Sequence, residues 1–147
     1  MAKYRFRLET LRRLRARHRD QQRAALAEAY QAERVLADHQ AKLAGEQNEL
    51  RDLQRTAMTC GYLDVNRLIE AQRYEMVLKV NEQHLVEQAQ RLAIEVERRR
   101  LAAIEADRSV RVLELLDERQ RREHGRRQQR LEIKQLDEVA ITRRPIG

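Results

Sequence analysis

From Leu85 to Leu113 the chain sets Leu85, Ala89, Leu92, Val96, Arg99, Ala103, Ala106, Val110 and Leu113 at alternating spacings of four and three. That alternation is the seam of a coiled coil, in which one narrow face of each helix packs on a neighbour and the rest meets water. Such a fold needs little apolar bulk, and little is present: 37% of the residues are charged, 3% are aromatic, and there is no Trp. A globular core would need more. Disorder is the other reading of so polar a chain. Against it, Ala, Leu, Glu, Gln and Arg dominate, all strong helix formers, while Pro occurs once.

Breaker signals converge at one place, Thr59-Cys60-Gly61-Tyr62-Leu63-Asp64. Gly61 can take the left-handed conformation that ends a helix. Asp64 can cap the next one by accepting from its free backbone N–H groups. Gly45 and Gly125 are isolated within helical patterns and cost about 1 kcal/mol each without breaking them. The reading is an all-α single hairpin over residues 1–147: a first helix from about 4 to 58, a turn at 59–64, and helical structure from about 65 to 141. A break between 62 and 84 is allowed, and the tail from 142 is frayed. Two long helices joined by a short loop become antiparallel neighbours. A parallel dimer of uninterrupted helices is the alternative.

A sharp reversal at Gly61 would set Leu36 and Leu43 against Gln88 and Asn81, a poor apolar match. A longer register matches better. It pairs Leu14 with Leu131, Leu8 with Leu136, Ala29 with Leu116 and Leu53 with Leu92, and it sets the two termini side by side. It leaves residues 62–84 over. These are expected to fold back as a short extra helix at the tip, carrying Leu63, Val65, Leu68, Ile69, Tyr74 and Met76; a straight second helix that overhangs is the other solution.

Charge is segregated along the chain. Residues 1–23 carry a net +7, residues 119–134 a net +5, and residues 24–118 a net −5. A basic base favours a negative partner, with attraction that weakens as salt rises. Many of these charges could instead pair with Glu neighbours at helical spacing. Nucleic acid is one such partner, although stacking platforms are scarce: Phe6 and four Tyr. Tyr4, Phe6, Leu8 and Leu11 could also lie on a membrane surface.

Catalytic patterns do not appear. There is no phosphate-cradling G-x-x-x-x-G-K-[ST] and no Ser/His/Asp logic. His18, His39, His84 and His124 have no Cys or His partner at metal-ligand spacing. Cys60 cannot form an internal disulfide and lacks an activating neighbour. No apolar run reaches transmembrane length, and the N-terminal charges lead into no apolar signal core. The expectation is a bacterial cytoplasmic protein with neither an enzymatic role nor a cofactor.

The two ends carry a family resemblance. FRLETLRRLR, Phe6 to Arg15, resembles the F-x-L-x-x-L-L-x-x-R opening of the flagellar FliJ family. RLEIKQLDEVA, Arg130 to Ala140, resembles its closing E-x-K-x-L-D-E pattern through Glu132, Lys134, Leu136, Asp137 and Glu138. Arg12-Arg13 stands where a second Leu is common. The resemblance implies a non-enzymatic coupling or chaperone component of the flagellar type III export apparatus. Such a protein is an antiparallel coiled coil similar to the central stalk of rotary ATPases. It acts inside the hexameric export ATPase, engages the export-gate membrane protein, and serves export chaperones. It is placed in the cytoplasm at the inner-membrane base of the flagellum. On that basis the ATPase-binding residues are expected to be Arg5, Arg7, Leu8, Leu11, Arg12, Arg15, Glu132, Lys134, Asp137 and Glu138. Those for the gate are Tyr62, Leu63, Leu68 and Tyr74. The equivalent stalk of a virulence secretion system and a nucleic-acid-binding coiled coil are the alternatives.

Overall fold

The computed structural model describes residues 3–61 and 64–143. They form two helices, α1 (Glu9–Thr59) and α2 (Val65–Thr142), packed against each other as an all-α hairpin. The reversal uses the expected chemistry. Gly61 has φ of 67°, the one positive φ among the described residues. The Asp64 carboxylate accepts from the Asn66 backbone N–H at 3.1 Å, and its carbonyl accepts from Leu68 N–H at 3.2 Å. Tyr62 and Leu63 lie outside the described residues.

The chain divides into two compact units, one of residues 22–102 and one joining residues 3–21 to 103–143. In the first, the α2 seam is half-buried or buried at Leu85, Ala89, Leu92, Val96 and Arg99. It also extends backwards through Leu78, Glu75, Ala71 and Leu68. Leu78 is the most enclosed large side chain among the described residues, 1% exposed. Burying such a Leu stabilises by about 1.5–3 kcal/mol. This extension corrects one expectation. Residues from Val65 onward form the start of α2 with no break, so the short extra helix at the tip does not exist. The segment already carries a heptad face that needs α1 as its neighbour.

The α1 face in this unit runs through Leu26, Ala29, Glu33, Leu36, Gln40, Leu43, Gln47, Leu50 and Gln54. Apolar positions alternate with polar ones of similar reach. The register follows the sharp reversal. Gln47 Nε2 donates to Glu82 Oε2 at 3.0 Å, and Arg99 donates to the Ala25 carbonyl at 2.7 Å. Leu36 and Leu92 border one groove, together with Gln88. Leu53, expected to meet Leu92, is 68% exposed. The longer register is therefore overturned. The polar seam of α1 tolerates Gln88 opposite Leu36, because Gln88 is exposed and keeps its amide in water while its stem lies along the half-buried Leu36.

In the second unit, Ala103, Ala106, Val110 and Leu113 continue the α2 seam as buried residues. Asp117 follows them at the next seam position, 6% exposed. Here α1 turns Arg12, Ala16 and Arg19 inward, and Leu8, Leu11 and Leu14 are exposed. From Gln129 to Thr142 every residue of α2 is exposed, as is Arg143 after it.

Candidate functional site

The residues singled out at the two ends fall in the second unit, where Asp117 organises the N-terminal segment. Lys3 to Leu8 is not helical. It lies against α2 through Phe6, 7% exposed, and through Tyr4. The Tyr4 hydroxyl donates to Asp117 Oδ1 at 2.6 Å and stands 3.2 Å from the Asp117 carbonyl. The Arg121 guanidinium lies 5.4 Å over the Tyr4 ring, a cation–π distance, and the His124 ring is 5.6 Å away on centroids. Loss of water around the hydroxyl, and then its bond to Asp117, raise the Tyr4 pKa above its ordinary 10.0. The second carboxylate oxygen, Oδ2, takes Arg12 at 3.3 Å and Arg121 at 3.5 Å. A buried carboxylate is costly unless its lone pairs are used, and Asp117 has three donors.

This changes what the predicted docking residues can do. Arg12 is held by Asp117 and by Glu9 at 2.8 Å, so it is a strut of the N-terminal segment. Arg5, Arg7 and Arg15 are exposed and make no ion pair with another described residue. Leu8 and Leu11, each 37% exposed, flank them on the surface. Glu132, Lys134, Asp137 and Glu138 are not brought to this cluster. Leu8 does not meet Leu136, and Leu14 does not meet Leu131: the N-terminal segment docks at the level of Asp117 to His124. From Asp117 to Leu136 is nineteen residues of continuous helix, about 28 Å at 1.5 Å each. The side-by-side termini are thus replaced by two surfaces, one around residues 5–15 and one on bare helix from Gln129.

Of the residues expected to meet a gate, Leu68 is half-buried and Tyr74 exposed. Both line a groove of about 740 Å³ beside the turn, with Leu50, Leu53, Ala57 and Ala71. Both helices contribute apolar side chains to that groove, and Gln54, Thr56, Asp64, Arg67 and Glu70 line it as well. A second groove of about 760 Å³ lies where the N-terminal segment meets α2, and Tyr4, Phe6, Arg12, Asp117 and Arg121 line it. His18 is exposed, and among the described residues no group of three or more His, Cys, Asp or Glu could hold a metal ion.

Asp117, and its contact with Tyr4, escaped the sequence reading. The signal was there: Asp117 sits four residues after Leu113, where the seam demands its next member. An acid at a seam position is a register device, and its partners had to be sought on the facing segment.

The model of the family described as "Flagellar FliJ protein" matches residues 4–144, nearly the whole chain. The chain belongs to the FliJ family. No curated protein and no solved structure matches it. FliJ membership makes it a flagellar-export-related coiled-coil protein that works with components of the export apparatus. The hairpin suits that role, and among its described residues no helix is long and apolar enough to cross a membrane.

Proposed function

We propose that this FliJ-family chain is a non-enzymatic coupling and chaperone component of flagellar type III export. In this reading it stands as a stalk-like coiled coil in the ring of the hexameric export ATPase, touches the export-gate membrane protein, and serves export chaperones. It works in the cytoplasm at the inner-membrane base of the flagellum. The observation that carries the reading is the bare segment of α2. From Gln129 to Thr142 the family's closing motif, Glu132, Lys134, Asp137 and Glu138, stands on a helix with every residue exposed. These residues stand on a stretch of helix that packs against nothing else in the described fold, which supports a role in contact with another protein.

The two surfaces divide the work. Arg5, Arg7 and Arg15 with Leu8 and Leu11 form one contact, and the α2 segment forms a second about 28 Å further along the helix. A ring that grips the protein at two levels resists tilting better than one that grips a single patch. Any effect on ATP turnover is then a difference in affinity between subunit states, since a ligand shifts an equilibrium only by that difference. The groove bordered by Leu68 and Tyr74 offers the gate an apolar contact; Tyr62 and Leu63 belong to the same proposal.

A pull-down with the purified export ATPase tests the reading. Charge reversal of Arg5, Arg7 and Arg15, leaving Arg12 with Asp117, is expected to abolish retention of the ATPase while far-UV circular dichroism stays helical. Reversal of Glu132, Lys134, Asp137 and Glu138 should do the same. Full retention by both variants overturns the assignment. Retention by a virulence-system ATPase in place of the flagellar one would move the protein to that machine. A tight gel shift with DNA or RNA at moderate salt would favour nucleic acid.

A further inference from the structure

The bare segment of α2 has a pattern of its own, distinct from the hairpin seam. At 100° per residue, Ile133, Leu136, Val139 and Ala140 fall within an arc of about 120° on one face. Ile133, Leu136 and Val139 are all exposed, and no part of α1 or of the N-terminal segment covers them. The spacing Gln129, Ile133, Leu136, Ala140 is again four, three, four, a second seam rotated away from the first. Its flanks carry Arg130 and Asp137 on one side and Glu132 and Val139 on the other.

We infer that this second seam is a self-recognition surface, on which two copies of the chain pair antiparallel through Gln129–Ala140. The charges select both the occupant and its direction. In the antiparallel register Ile133 of one copy faces Leu136 of the other, and Gln129 faces Ala140. Arg130 then stands beside Asp137 of the second copy, and the two-fold axis repeats the pair, giving two opposite-charge contacts astride the apolar centre. A parallel pair would set Glu132 beside Asp137, like against like, twice. The same segment is thus complementary to itself in one direction and repelled in the other, as a closed two-fold interface requires. An anionic surface or an acidic helix would meet Asp137 and Glu138 as well as the arginines, so it fits this face less well than a second copy does.

The overlap has a natural limit. Beyond it Arg126 of one copy meets Arg143 of the other, so pairing stops near Gln129 and Ala140. Twelve residues per chain bury an area below that of a standard stable interface, so the pairing is weak and transient. Association is dynamic, and it covers part of the surface assigned above to the ATPase. The inference does not rest on that assignment, since its test contains no other protein.

The full-length chain with Cys60→Ala, which removes the exposed free thiol, is examined by sedimentation velocity from about 1 µM to about 500 µM. A monomer-to-dimer shift is expected. R130D or D137R alone should weaken it about tenfold, by turning two attractive contacts repulsive. The double variant R130D/D137R should restore it. Both substitutions lie on exposed helix and leave the fold intact. For direction, an equimolar mixture of I133C and L136C chains in the same background should form intermolecular disulfides faster than either alone. A monomer at every concentration overturns the inference, as does a double variant no stronger than its parents. Faster cross-linking within each single variant would mean parallel pairing and overturn it equally.

Discussion

Replacing Asp117 by Ala tests the arrangement on which the N-terminal segment depends. The carboxylate is 6% exposed and receives the Tyr4 hydroxyl at 2.6 Å, Arg12 at 3.3 Å and Arg121 at 3.5 Å. A hydrogen bond to a charged acceptor contributes about 1.5–3 kcal/mol net. The two guanidinium contacts are partly solvated and add about 0.2–1 kcal/mol each. Set against this, Ala is the better helix former by about 0.5 kcal/mol. The balance is a loss of about 1.5–4.5 kcal/mol. With a urea slope of about 2 kcal/mol per molar, the midpoint should fall by about 1–2 M. Urea titration followed by far-UV circular dichroism reads this directly. A local readout goes with it: backbone amides of residues 3–8 should exchange hydrogen faster in the variant, because Tyr4 loses its anchor. Tyr4→Phe should produce the same local release with a smaller midpoint shift, and adding it to Asp117→Ala should change little, because the two side chains share one bond. If Asp117→Ala unfolds at the wild-type urea concentration, or if the two substitutions add in full, the buried carboxylate does not hold the segment.

Three further outcomes follow from the geometry. Gly45 lies inside α1 with nothing within 4 Å of an added Cβ, so Gly45→Ala should stabilise by up to about 1 kcal/mol, whereas Gly61→Ala, forced to a φ of 67°, should destabilise by about 1–2 kcal/mol; thermal melts of the two variants should shift in opposite directions. Glu95 is held at a pKa of about 2, first by its hydrogen bonds from Arg98 and Arg99. A depressed carboxylate contributes stability above its unfolded pKa of about 4.5 and loses it as pH falls towards 2, so Glu95→Gln should flatten the loss of stability over that window in urea titrations at stepped pH. Spin labels at Leu8 and Leu136 should report a separation near 28 Å within one molecule, and a distance below about 15 Å would restore the abandoned register.

The hairpin was readable because its signals are local. Four-three spacing from Leu85 to Leu113 names the face of α2, and Gly61 followed by Asp64 names the reversal. The facing register was not readable, for a reason that lies in the repeat itself. A seam that recurs every seven residues looks almost the same after a slip of whole heptads. The expected pairing of Leu53 with Leu92 differs from the observed one by nearly three of them. Apolar matching favoured the slipped register because Leu14 and Leu8 found leucines to meet. The structure instead satisfies Arg99, Gln47 and Tyr4, polar side chains whose partners carry no periodicity. The layout of the candidate residues followed: Arg12 pairs with Glu9 and Asp117, and the closing motif of α2 lies away from the opening one. Leu78 was also missed, since Asn81 and Glu82 interrupt the apolar reading just before Leu85.

Arg99 has a mechanical consequence. It occupies a seam position, yet its guanidinium bonds Glu95 on its own helix at 2.8 Å and crosses to the carbonyl of Ala25 at 2.7 Å. Two helices with a repeating seam could otherwise creep past one another in jumps of a heptad, about 10.5 Å. Arg99 behaves as a detent. Any jump would pull a charged group off its backbone acceptor, so strain applied along the helices is resisted as by a stiff strut until that one catch lets go.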